Sequence, residues 1–205
     1  MNIDFSRTEL RDLGVAWLAL GLAFAIFFER GATGFLQAGI VLPLVVSLLT
    51  AGVGFILHEL AHKVVAVRYD QIAEFRADYN MLFVAIMSAI IGFLFAAPGA
   101  VHHRGYLTDR QHGLIALAGP VMNLVLVVVF VPLLVAGVVL GSPLLELIGG
   151  RGLAINFFLA AFNLVPIGSL DGKTVMGWNK VVWAGTFVPS AVLAFVIVFV
   201  YNIGF

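Results

Sequence analysis

Two of the five histidines in this 205-residue chain, His58 and His62, stand four apart with Glu59 between them. The segment His58-Glu59-Leu60-Ala61-His62 follows the mainly apolar run from Val41 to Leu57, so it should be helical. Residues i and i+4 share one helix face, with Cβ atoms about 5–6 Å apart. Two imidazoles so placed can reach one zinc ion at about 2.0–2.1 Å. Glu59, next to the first imidazole, could take a proton from a water on the metal without being a ligand itself. Zinc lowers the pKa of such a water from 15.7 to about 7, which would supply a nucleophile at neutral pH. A charged side chain inside a membrane span costs about 2.5–3.5 kcal/mol on insertion scales and is functional by default.

A tetrahedral site needs one more protein ligand beside two histidines and a water. The chain has no cysteine, so thiolate ligands and disulfides are excluded, and the third ligand must be His, Asp or Glu. Asp171 is the strongest candidate. It ends the segment Asn163-Leu164-Val165-Pro166-Ile167-Gly168-Ser169-Leu170-Asp171-Gly172, where Pro166 and Gly168 should break a helix. Open backbone at membrane depth is tolerated only where protein or a watery cavity covers it. Taken alone, Asp171-Gly172 reads equally well as a surface turn. Beside an H-E-x-x-H segment it becomes the better ligand. The open backbone around Pro166 and Gly168 could also pair with an extended polypeptide as an added strand.

The elements that must carry these residues are membrane helices. Hydrophobic residues make up 62% of the chain and charged ones 11%, against about 45–50% and 25% in soluble domains. Net charge is zero, which gives no reason to expect a nucleic-acid partner. Stretches of about 20 apolar residues suit the bilayer, and they place spans at 12–29, 38–67, 113–139, 152–172 and 181–203. The first is expected to be a retained span, since Gly31-Ala32-Thr33-Gly34 only weakly resembles a cleavage site. The expected fold is an all-α polytopic membrane protein with five to six transmembrane helices. A single domain covers 1–205, with its core at 38–175 and peripheral helices at 12–29 and 181–203.

The apolar stretch Met81 to Ala97 could cross or could dip in and return. If it crosses, lysines and arginines divide six against five between the two sides, which decides nothing. If it returns, Arg7, Arg11, Lys63, Arg68, Arg76, Arg104, Arg110, Lys173 and Lys180 share one side against Arg30 and Arg151. Positive loops collect in the cytoplasm, so a re-entrant stretch with a cytoplasmic N-terminus fits better. Geometry asks for the same. His58/His62 and Asp171 must meet at one depth, so an odd number of crossings separates their spans.

At this point the residues resemble the site-2 protease family of intramembrane zinc metalloproteases. His58 to His62 resembles its metal helix, and Asn163 to Gly172 its N-x-x-P-x-x-x-[LM]-D-G motif at full spacing. Ala118-Gly119-Pro120-Val121-Met122-Asn123 resembles its A-G-P-x-x-N segment, and Pro98 to Val101 a loop with a small β structure. The resemblance covers about 55–175. It implies that His58, His62 and Asp171 hold one zinc ion, that Glu59 is the general base, and that Asn163 helps hold the substrate backbone. It further implies a small re-entrant or β element between the H-E-x-x-H span and the third span, and regulated intramembrane proteolysis of a transmembrane protein substrate. The protein would be multi-pass in the cell membrane, in contact with lipid, its active site opening to the cytoplasm.

A polytopic transporter or metal permease is the alternative, because transporters also build sites from broken helices; pseudo-repeated halves, however, are not visible. Asn123 could line the site or hydrogen-bond between helices. His102, His103 and His112 could be extra ligands or solvated loop residues.

Overall fold

In the computed structural model, which describes residues 3–96 and 98–200, Ser6 accepts the amide of Glu9 and starts the first span, α1 (Arg7–Phe28). A short helix α2 (Ala32–Ala38) follows. Next, α3 (Val41–Ser47) and α4 (Val53–Arg68) are joined by a π-helical turn, Leu48–Gly52, into a 28-residue rod. Strand β1 (Ile72–Ala77), helix α5 (Tyr79–Ile90) and strand β2 (Gly99–Arg104) come between this rod and the long span α6 (Asp109–Leu140). The chain then forms α7 (Pro143–Asn163), α8 (Asp171–Trp178) and α9 (Lys180–Phe195), the last continued by a π-helical turn, Val196–Val200.

Among the described residues, five helices are long and apolar enough to cross a membrane: Arg7–Phe28, Val41–Arg68, Asp109–Leu140, Pro143–Asn163 and Lys180–Val198. The protein is thus a multi-pass membrane protein, mostly helical, with a two-stranded antiparallel sheet between its second and third spans. Residue 97 and residues 201–203 of the expected elements lie outside the described residues.

The stretch from Met81 comes back to where it started. Ala77 at the end of β1 pairs with Gly99 at the start of β2, and Ile72 pairs with Arg104. An excursion whose two ends are joined by a sheet ladder enters and leaves at one depth. Its helix α5 has 12 residues, about 18 Å at 1.5 Å per residue, against a hydrocarbon core of about 30 Å.

The fourth span differs from the sequence expectation of 152–172. It begins nine residues earlier, at Pro143, and stops at Asn163. Gly149, Gly150 and Arg151 suggest a loop in sequence but lie inside this helix. The reason is packing against α6. A Cβ at Gly149 would stand 2.3 Å from the Leu134 nitrogen, and one at Gly152 2.2 Å from the Phe130 ring. These glycines let two backbones approach closely, which drives helix association where lipid removes the hydrophobic force. Arg151 is tolerated there because Glu29, at the end of α1, accepts its guanidinium at 2.7 Å.

The contacts of α6 set the directions of its neighbours. His62 meets Ile115 and Gly54 meets Asn123, so α4 and α6 are antiparallel. Gly137 meets Glu146 and Phe130 meets Gly152, so α6 and α7 are antiparallel as well. Spans α4 and α7 therefore run the same way, with one crossing between them.

Candidate active site

The face of α4 that carries His58, Glu59 and His62 is buried. Each histidine is fixed by a bond from its far nitrogen. His58 Nδ1 lies 2.6 Å from Asn123 Oδ1, and His62 Nδ1 lies 2.7 Å from the Ile115 carbonyl. Asn123 spends its amide group on two acceptors, the Gly54 carbonyl at 3.2 Å and Asn156 Oδ1 at 2.9 Å. Its Oδ1 must therefore accept, and His58 Nδ1 must carry the proton. The same holds for His62 against a carbonyl. Both Nε2 atoms are then left with bare lone pairs. They lie 3.0 Å apart, and Asp171 Oδ2 lies 3.3 Å from each.

Three lone-pair atoms converging in a buried site repel one another unless a cation lies between them. Asp171 Oδ2 is buried without a hydrogen-bond donor. A tetrahedral ion with bonds of 2.0–2.1 Å has ligand–ligand edges of about 3.3 Å, close to the separations found. His58, His62 and Asp171 are also the group of metal-ligating side chains that the described residues bring together, all ligand atoms within 4.8 Å. The donor set fits zinc. Gly119 completes the cradle, since a Cβ there would stand 2.4 Å from both Nε2 atoms. Any side chain at position 119 would fill the space that the ligands enclose.

Asp171 reaches the site because the chain unwinds after Asn163. Residues 164–170 are irregular, and Asp171 begins α8, where a carboxylate is favoured by the helix dipole. The Leu164 carbonyl, freed from the helix ladder, accepts the Trp183 indole of α9 at 2.8 Å. Gly172 is needed for this fold-back, because a Cβ there would stand 1.9 Å from the Leu164 oxygen. Gly168 takes a left-handed conformation at φ +61°.

A cavity of about 680 Å³ opens on the three ligand residues and Glu59. Its wall is largely apolar, with Phe24, Phe55, Phe93, Phe95, Phe158 and Phe162, and it includes Asn163 and Gly99 to Val101 of β2. Pro166 and Gly168 are not on that wall; Ser169 and Leu170 are. Pro166 and Gly168 lie in the irregular loop that leads to Asp171. Asn163 lines the cavity while its Nδ2 donates to the Leu159 carbonyl of its own helix at 3.0 Å. Asn123 lies behind the ligands and joins α4, α6 and α7. His112 is on the cavity wall, His102 is exposed on β2 opposite Glu74, and the side chain of His103 lies outside the described residues.

Over 182 residues the chain is 40% identical to "Putative zinc metalloprotease MJ0611" of Methanocaldococcus jannaschii, spanning 88% of this chain and 89% of that protein. This chain belongs to the site-2-protease-like family of membrane zinc metalloproteases. A second relative, "Putative zinc metalloprotease YwhC" of Bacillus subtilis, is 32% identical over 144 residues, or 62% of this chain and 66% of that one. No family model and no solved structure matches the chain. The metalloprotease is an enzyme, and the transporter alternative falls away.

Sequence reasoning missed three contributors. Gly119 was visible in its motif without a reason, and its reason is the empty space beside both imidazoles. Asn156 is fully buried and bonds Asn123, but a lone polar residue in an apolar span gives no hint of its partner. The π-helical turn is the third. Trp17 of α1 donates at 3.1 Å to the Leu48 carbonyl, which also accepts the Val53 amide across the widened turn, and so helps fix the rotation with which α4 presents its ligands.

Proposed function

We propose that the protein is an intramembrane endopeptidase that cuts transmembrane segments of other proteins. The observation that carries this reading is the placement of His58, His62 and Asp171 between membrane-spanning helices, at the end of a cavity walled by phenylalanines. His58, His62 and Asp171 would hold one zinc ion, which when bound would supply Lewis acidity and lower the pKa of water. Glu59 takes the proton of the attacking water and passes it to the leaving amine nitrogen.

The substrate must enter unwound, since a helical peptide bond is shielded and its carbonyl is already bonded. Strand β2 supplies the template. In β1 the amides of Phe75 and Ala77 point away from β2, to Glu9 at 3.1 Å and Asp12 at 3.3 Å. Their cross-strand partners, Val101 and Gly99, therefore turn their own backbone groups outward. Gly99 and Val101 line the cavity together with Glu59. An extended substrate adds to that edge and lies across the ligands, in place of the pairing that the sequence suggested for Pro166 and Gly168. Asn163 meets the substrate backbone from the opposite wall. With Arg151 buried inside α7 and Lys63 buried inside α4, the charge count leaves Arg30 alone against eight cations. This supports a cytoplasmic N-terminus and a cytoplasmic opening of the site.

The test uses enzyme in lipid vesicles with a single-span test protein and Glu59→Gln. The variant should keep its zinc and lose about 10²–10⁴-fold in cleavage rate. Wild-type cleavage by Glu59→Gln, or wild-type enzyme that cuts only the soluble part of the test protein, would overturn the proposal.

A further inference from the structure

Lys63 follows ligand His62 directly, yet it is 2% exposed and points away from the cavity toward α1. There its ammonium meets Glu9, itself fully buried, at 2.5 Å. It also donates to the Asp4 carbonyl at 2.7 Å and lies 4.0 Å over the Phe5 ring. The second oxygen of Glu9 accepts the Phe75 amide of β1. One turn further along α1, Asp12 accepts the Ala77 amide, and its other oxygen accepts the Tyr79 hydroxyl at 2.7 Å. Alternate strand amides are about 6.6 Å apart, and carboxylates at i and i+3 on a helix can reach both. Glu9 and Asp12 thus bind the edge of β1 where a third strand would otherwise pair.

We infer that Glu9, Lys63 and Asp12 are positioning residues, which lock the sheet to the metal helix and so fix the distance between the outer edge of β2 and Glu59. The inference rests on the proposal that this edge receives the substrate. Three elements meet at one carboxylate: α1 carries it, α4 supplies Lys63, and β1 supplies Phe75. A buried ion pair is a weak source of stability, and apolar residues of equal volume often replace one without loss. An apolar pair here could fill the space but could not bond the strand amide. The function that only the charged pair performs is alignment.

Steady-state cleavage of the detergent-solubilised single-span test protein separates alignment from plain stability. Glu9→Gln leaves one good acceptor for two donors and should raise KM about tenfold, with kcat within about twofold and zinc content unchanged. Asp12→Asn, which does not touch α4, should raise KM in the same direction. The double exchange Glu9→Lys with Lys63→Glu restores an ion pair but offers no acceptor to Phe75. It should recover thermal stability while KM stays high. Recovery of wild-type KM by the exchange, or unchanged KM in both single variants, would overturn the inference. Val101→Pro removes an outward amide of β2, the one that bonds the Glu59 carboxylate, and should raise KM while also lowering kcat. If Val101→Pro leaves KM unchanged, docking at the edge is wrong and this inference goes with it. A raised KM in Val101→Pro beside unchanged KM in Glu9→Gln and Asp12→Asn overturns the positioning role alone.

Discussion

A methyl group at position 119 would compete for space with the ion itself. The Cβ of Gly119→Ala would stand 2.4 Å from His58 Nε2 and from His62 Nε2, and zinc must approach the same two atoms to about 2.0–2.1 Å. Ordinary contact requires about 1 Å more than this, so something must retreat. The imidazoles cannot do so freely. His58 is held by Asn123 and His62 by the Ile115 carbonyl, both on α6, the helix that carries Gly119. Each buried bond broken costs about 1–3 kcal/mol, so yielding at both costs about 2–6 kcal/mol, or a loss of zinc affinity of roughly 30-fold or more. The assay is zinc per chain after dialysis against a zinc buffer set near the wild-type dissociation constant. Gly185→Ala, with open space around its Cβ, serves as the control and should match wild type. Wild-type zinc content in Gly119→Ala would refute the placement of the ion between the two imidazoles.

Three other outcomes follow from the same geometry. Asn123→Leu removes the acceptor that orients His58 and should cost about 10–100-fold in metal affinity, read by competition with a chromophoric chelator; unchanged affinity would mean that His58 is oriented by packing alone. Asp171→Asn should lower zinc per chain while the helical circular dichroism stays the same, and full zinc occupancy would point to another third ligand. Glu29→Gln leaves the Arg151 charge within α7 without its partner. Because Glu29 is partly exposed, the loss should fall at the low end of about 3–5 kcal/mol, and an unshifted thermal transition in detergent would contradict it.

The local chemistry of this protein is written in short segments of its sequence. Helical geometry alone puts His58 and His62 on one face, and the apolar flanks alone place that face in a membrane. Pro166 ends a helix because it lacks an N–H and its ring clashes, and Gly168 disfavours one by its backbone freedom, which is why an irregular stretch before Asp171 could be expected. That an odd number of crossings separates the two ligand-bearing spans also followed, from the requirement that Asp171 meet the histidines at one depth. What the sequence misplaced was the fourth span. Gly149, Gly150 and Arg151 mean a loop when read locally, and become helix only because Leu134 and Phe130 pack against the glycines and Glu29 neutralises the arginine. The same limit hid the ligand supports. Asn123, Asn156 and the Ile115 carbonyl are 33 to 65 residues from their partners, and no periodicity reports a bond over that separation. Tertiary packing also decided which edge of the sheet faces the cavity, because the side chains of Glu9 and Asp12 occupy the other edge.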